Sequence, residues 1–209
     1  MHVLVADDHS IVRSGLIQIV MKIDEVSSVE EAINGQEALA KIENNQYDLI
    51  ILDISMPGLN GMDVLKAMKD NNEKANILIL SVHPQAQYAI RALKLGASGY
   101  LCKNDINEEL TSAIKKIASG GKYISAALAE KIFFDKKDDL NKLPHEKLSG
   151  REFQIMLMLA EGKSVKEIAG ELFISDKTVS TYRARLLEKM GIENNAELIH
   201  YAINNNLIE

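Results

Sequence analysis

The chain has one cysteine, no apolar run approaching the 18 residues of a membrane span, and no surplus of positive charge. Each shortage excludes something. A lone Cys102 leaves no internal disulfide framework and fits a reducing compartment, so the cytoplasm is the expected location. Without a long apolar stretch, no transmembrane helix and no membrane partner are expected. The first residues, "MHVLVADDHS", lack the basic-then-apolar layout of a secretion signal and read as a first strand. With 24 Lys+Arg against 30 Asp+Glu, the net charge of −6 is not that of a general polyanion binder. The deficit is −4 over residues 1–123, zero over 124–147 and −2 over 148–209. Any contact with nucleic acid would have to come from a local cluster of cations.

What is present suffices for two cores: 209 residues, 46% of them hydrophobic and 26% charged. Short apolar runs, "HVLVA" (2–6), "VSSVEEA" (26–32), "DLIILD" (48–53), "NILILS" (76–81) and "SGYLC" (98–102), alternate with stretches of helical spacing at 11–20, 36–43, 61–68, 86–93 and 106–117. Strands alternating with helices predict an α/β domain over 1–122: a five-stranded, doubly wound parallel sheet with helices on both faces. The glycines of "ASGGKYIS" (118–125) break that pattern. Residues 123–147 then read as a linker helix, "AALAEKIFF" (126–134), and a polar, flexible tether over 135–147. From 148 to 209 the pattern is all-α, with four helices. Ser149 and Ser164 each precede a glutamate by three residues, Glu152 and Glu167, the capping-box spacing. A third helix opens at Ser175 and closes at Gly191, and a fourth covers 194–209.

In "LIILDISMPGLNG" (49–61) four apolar residues run straight into Asp53. An ionised carboxylate there is costly unless something pairs with it. Ligands of doubly wound sheets sit beyond the carboxyl ends of the strands. There strand one ends in Asp7-Asp8, strand three in Asp53, strand four in Ser81 and strand five in Lys103. Three acids repel unless a lysine and a divalent cation neutralise them. An all-oxygen set suits Mg2+, which keeps several waters and favours a phosphate partner. Asp53 then reads as a carboxylate nucleophile for phosphoryl transfer.

The stretches "LVADDHSIVRSGL", "DLIILDISMPGLNGMDVL", "ILILSVH" and "GASGYLCK" closely resemble the flavodoxin-like receiver domain of two-component response regulators. The resemblance implies that Asp53 is the phosphoacceptor. Asp8, Asp53 and the backbone carbonyl of Ser55 would ligate Mg2+, and Asp7 would hold it through water. Lys103 would pair with the phosphoryl oxygens, Ser81 would bond the phosphate, and Tyr100 would be the aromatic switch. The family often has Lys-Pro after strand five; here it is Lys103-Asn104, and the geometry of that bond is left open. His83 and Ser55, each two residues past a site residue, are expected to tune the lifetime of the phosphoryl group.

"LSGREFQIMLMLAEGKSVKEIAGELFISDKTVSTYRARLLEKMGI" resembles the LuxR/FixJ-type helix-turn-helix domain. Val179, Leu186 and Met190 share one face of its third helix. Lys177, Ser180, Thr181 and Ala184 fall on the opposite one, small or polar as a major groove requires. Residues 177–189 carry a local net charge of +3. Lys163, Ser164, Lys177, Thr178 and Arg185 are candidate phosphate contacts. The implied protein is a DNA-binding regulator that takes a phosphoryl group from a sensor histidine kinase and, as a homodimer when phosphorylated, binds paired half-sites on double-stranded DNA. It would be no enzyme beyond its own phosphorylation and dephosphorylation. The alternative is a phosphorylation-independent regulator whose receiver is structural; the complete Asp7, Asp8, Asp53, Ser81, Lys103 set argues against it. The last helix carries Leu198, Ile199, Tyr201, Ala202, Ile203, Leu207 and Ile208, more apolar residues than docking needs, so it is expected to dimerise this domain.

Overall fold

The computed structural model describes residues 1–71, 75–82, 86–134 and 143–208, with the side chains of 86–87 and 131–134 left aside. Two compact units emerge, Met1–Asp135 and Lys136–Glu209. In the first, β1 (His2–Ala6), β2 (Ser28–Ala32), β3 (Leu49–Asp53), β4 (Asn76–Ser81) and β5 (Gly99–Cys102) alternate with α1 (Ser10–Val20), α2 (Gly35–Asn44), α3 (Gly61–Asp70), α4 (Ala86–Leu95) and α5 (Ile106–Ala118). The sheet is parallel in the order β2-β1-β3-β4-β5. β3 is buried at every position, as its unbroken apolar run requires when helices cover both faces.

Register places the site. Ala6 pairs with Leu52, Asp53 with Leu80, and Ser81 with Cys102. The residues at or just past these rungs therefore emerge side by side at one edge. The strand order reverses between β1 and β3, which makes the crevice above them the expected ligand position.

The first unit does not stop at residue 122. Tyr123 accepts from the Tyr100 amide at 2.9 Å and donates to the Ser98 carbonyl at 3.0 Å, extending the edge beside β5. The helix α6 (Ala126–Phe134), read as a linker, packs against α4 in the same unit and buries Leu128. At the other end, residues 143–147 are not free tether. Pro144–Lys147 form a 3-10 turn in which His145 is buried, its Nδ1 2.8 Å from the Tyr201 hydroxyl. Residues 135–142, the rest of that tether, lie outside the described residues.

The second unit consists of α7 (Gly150–Ala160), α8 (Val165–Glu171), α9 (Asp176–Met190) and α10 (Asn195–Asn204), with α7 packed against the other three. Both expected capping boxes form, Ser149 with Glu152 and Ser164 with Glu167. Ser175 caps α9, which ends at Gly191 in the left-handed region. The apolar set at the end of the chain divides between docking and solvent. Leu198 and Ala202 have no exposed surface and Leu207 has 1%, because the chain folds back after α10 and the Leu207 amide bonds the Ala202 carbonyl at 2.8 Å. Of that set, Ile199, Tyr201 and Ile208 are half-buried and Ile203 stays largely exposed, at 53%. Among the described residues, no helix is long and apolar enough to cross a membrane.

Candidate functional site

Asp7 and Asp53 have no exposed surface, and Asp8 is nearly buried. Lys103, at the start of the 3-10 turn after β5, reaches back between them. Its Nζ lies 2.8 Å from Asp7 Oδ2 and 2.9 Å from Asp53 Oδ2. The opening cost of a carboxylate at the end of a core strand is thus met by an ammonium shared with a second carboxylate. One cation cannot satisfy two such acids fully. Burial, reinforced by the Asp7 charge, pushes Asp53 up to about 6, while Lys103 and the Ser55 amide pull it back. Burial alone would lower Lys103; Asp53 and Asp7 overcome that and raise it. No well-formed hydrogen bond reaches the buried Asp53 Oδ1.

The backbone brings these groups close. Gly58 takes a φ of 72° in the turn after Pro57, which lets the loop past β3 reverse sharply. A Cβ on Gly61 would meet the Asp53 carbonyl oxygen at 2.2 Å, so a glycine is required where α3 starts against β3. Ser55 is positioned through its amide, beside Asp53. Ser81 is fully buried and hydrogen-bonded with Tyr100, itself 1% exposed; burial raises the Tyr100 phenol strongly, with Ser81 partly offsetting it. Tyr100 is therefore already turned inward. The Lys103–Asn104 bond is trans, since no cis peptide occurs among the described residues. His83 lies outside them.

One neighbour was missed. Single ligand atoms of Asp7, Asp8, His9 and Asp53 lie within 4.8 Å of one another. Histidine-to-histidine spacing could not reveal it; the adjacency "DDH" at a strand end was the available signal.

On α9, Val179, Leu186, Leu187 and Met190 face the core. Lys177, Ser180, Thr181, Ala184 and Arg185 are exposed and Thr178 is half-buried. Ser180 and Thr181 donate their hydroxyls to the carbonyls of Asp176 and Lys177, both at 2.9 Å. The four cations between 177 and 189 divide into two kinds. Arg183 bonds Asn195 Oδ1 at 2.8 Å and Lys189 pairs with Glu152 at 2.7 Å, tying α9 to α10 and α7. Lys177 and Arg185 make no ion pair among the described residues. Lys163 pairs with Glu171 at 2.7 Å across a solvated surface, a contact that opens at little cost, and Ser164 caps α8.

A buried three-acid, one-lysine cluster at the sheet switch point, joined to a capped four-helix unit, defines a class: a receiver followed by a DNA-binding output domain. Comparison with known proteins agrees. Residues 3–115 match the family described as response regulator receiver domain, and residues 146–202 match bacterial regulatory proteins, luxR family. The chain belongs to these LuxR-type response regulators, which are phosphorylation-controlled, DNA-binding regulators of two-component signalling. It is 35% identical over 207 residues to the response regulator UvrY of Escherichia coli strain K12, covering 99% of this chain and 95% of that one. It is 33% identical over 216 residues to the oxygen regulatory protein NreC of Staphylococcus carnosus, spanning both chains fully. Among solved structures it is similar to the RcsB response regulator of Salmonella typhimurium, with 26% identity, a TM-score of 0.60, and 96% and 97% of the two chains covered. An RcsB–DNA complex matches at 26% identity and a TM-score of 0.61, covering 96% of each chain.

Proposed function

We propose that Asp53 accepts a phosphoryl group from the phosphohistidine of a sensor kinase, and that this controls DNA binding through α9. The observation that carries the reading is Lys103 bridging Asp7 and Asp53 in a buried cluster at the β1/β3 crevice. A carboxylate oxygen of Asp53 attacks phosphorus, the N–P bond to the kinase imidazole breaks, and an acyl phosphate forms. Lys103 then exchanges its carboxylate partner for a phosphoryl oxygen. Hydrolysis by water returns Asp53 and inorganic phosphate, so the chain's own chemistry is confined to its phosphorylation and dephosphorylation. Mg2+ fits the residues present: three carboxylates converge, and Asp53 Oδ1 is buried without a well-formed hydrogen bond. Asp7, Asp8, Asp53 and the Ser55 carbonyl would hold it, and it supplies neutralisation of the anionic reactants.

Ser81, buried beside Tyr100, would bond the new phosphoryl group and carry its presence to β5. The output unit would present α9 to the major groove of double-stranded DNA, with Lys177, Ser180, Thr181 and Ala184 toward the bases. Thr178, Arg185, Lys163 and Ser164 would lie toward phosphates. Two copies of the chain would engage paired half-sites, in the cytoplasm. Acetyl phosphate tests the acceptor. With Mg2+, wild type should gain one phosphoryl group by intact mass and Asp53→Asn none, and EDTA should block the reaction. Equal incorporation into Asp53→Asn would contradict the reading.

A further inference from the structure

The carboxylate cluster has a fourth donor, supplied by the residue that follows the two aspartates. His9 Nδ1 lies 2.9 Å from Asp8 Oδ1 and 3.5 Å from Asp7 Oδ1. The His9 amide donates to Asp7 Oδ1 at 2.8 Å, which fixes the residue at the rim of the cluster. Around an octahedral dication with bonds near 2.1 Å, neighbouring donors stand about 3.0 Å apart and opposite ones about 4.2 Å. His9 Nδ1 and Asp8 Oδ1 already stand at the neighbour separation, and the donor atoms of Asp7, Asp8, His9 and Asp53, all within 4.8 Å of one another, form a cluster slightly wider than the octahedral span, which a shift at the rim would close. The deep end is the buried Asp53 Oδ1, which no well-formed hydrogen bond reaches. The rim is adjustable, because the His9 side chain is 56% exposed.

We propose that His9 is a direct metal ligand, giving a mixed nitrogen–oxygen donor set that takes a nitrogen-preferring transition dication such as nickel in addition to magnesium. This rests on reading the cluster as a metal site. Three carboxylates are balanced by Lys103 and one dication, so a neutral imidazole adds a donor without adding charge. Coordination through Nδ1 leaves the ring proton on Nε2 and frees Asp8 from its contact with His9. Imidazole nitrogen contributes little to Mg2+, which prefers oxygen, and much to Ni2+. The histidine thus sets which dication the cluster prefers.

The test is calorimetric titration of the untagged full-length protein with MgCl2 and with NiCl2. The quantity read is the Ni2+ that excess Mg2+ displaces, which separates this site from nickel bound at other histidines. His9→Ala should weaken displaceable Ni2+ binding by tenfold or more while changing Mg2+ affinity by less than threefold, and His9→Gln should do the same. An Ni2+ affinity within twofold of wild type in His9→Ala, or an equal loss for both ions, overturns the proposal while leaving the metal site intact. If neither ion binds wild type, the metal reading of the cluster falls together with it.

Discussion

At the end of the sheet, Asp7 and Asp53 have no contact with solvent and share one ammonium. Along α9, Lys177, Ser180, Thr181, Ala184 and Arg185 stand in water, and the two cations among them are left without carboxylate partners in the described residues. The two regions handle charge in opposite ways. On the proposed function, phosphoryl transfer would use a desolvated nucleophile and a fixed cation, and the burial of these residues, with charges held at a cost in stability, suits that role. Polyanion contact needs accessible cations, so those residues cost the fold almost nothing. That contrast explains how a chain of net charge −6 can carry a DNA-binding surface. On the proposed function, the positive charge open to DNA would be the part left over after Arg183 and Lys189 hold helices together.

The largest expected effect separates buried from exposed positions on the output unit. Ala202→Glu places an unpaired carboxylate where no surface is exposed and should cost about 4 kcal/mol or more, unfolding the second unit. Ala184→Glu, on the exposed face of α9, should change stability by less than about 0.5 kcal/mol and still abolish DNA binding by like-charge repulsion. Circular dichroism with denaturant checks both; equal losses of stability would erase the distinction. Next in size is Lys103→Ala. It leaves two buried carboxylates without a cation, and in metal-free buffer it should cost about 3–5 kcal/mol, partly recovered by added Mg2+.

The same cluster predicts a pH dependence of defined sign. Asp53 has its pKa raised from 3.8 to about 6 in the folded protein. Between those values the folded state holds more protons than the unfolded one. Stability therefore falls as pH rises through the window, and Asp53 opposes folding above it. Metal-free Asp53→Asn should be more stable than wild type at pH 7 by up to about 3 kcal/mol, with the gain gone below about pH 4. A gain that persists at low pH would show that ionisation is not its source. Smallest in stability is Lys177→Ala. It should shift unfolding by less than about 0.5 kcal/mol while lowering the slope of log affinity against log salt by about 1.

The two regions were unequally legible in the sequence. The strand-end acids could be read because parallel strands buried on both faces are unbroken apolar runs, so a charge at the end of one stands out. Caps were legible for a similar reason: Ser149, Ser164 and Ser175 satisfy local backbone donors, and locality is what sequence spacing encodes. What failed depends on distant parts of the chain. Charge counting put Arg183 and Lys189 with Lys177, although their partners, Asn195 and Glu152, come from other helices. Residues 144–147 looked like tether because their partners lie far along the chain, as with His145 and Tyr201, more than fifty positions apart in sequence.

If the buried site governs the exposed one, DNA affinity depends on phosphorylation at Asp53, and that dependence can be measured directly. A duplex with paired half-sites, selected from random sequence by the phosphorylated full-length protein, would be titrated with wild type and Asp53→Asn, each before and after acetyl phosphate with Mg2+. Wild type should bind about tenfold tighter or more after treatment, within the usual range of coupling between sites, and Asp53→Asn should not respond. An equal gain in both proteins, or none in wild type that carries the phosphoryl group, would show that Asp53 does not control DNA binding.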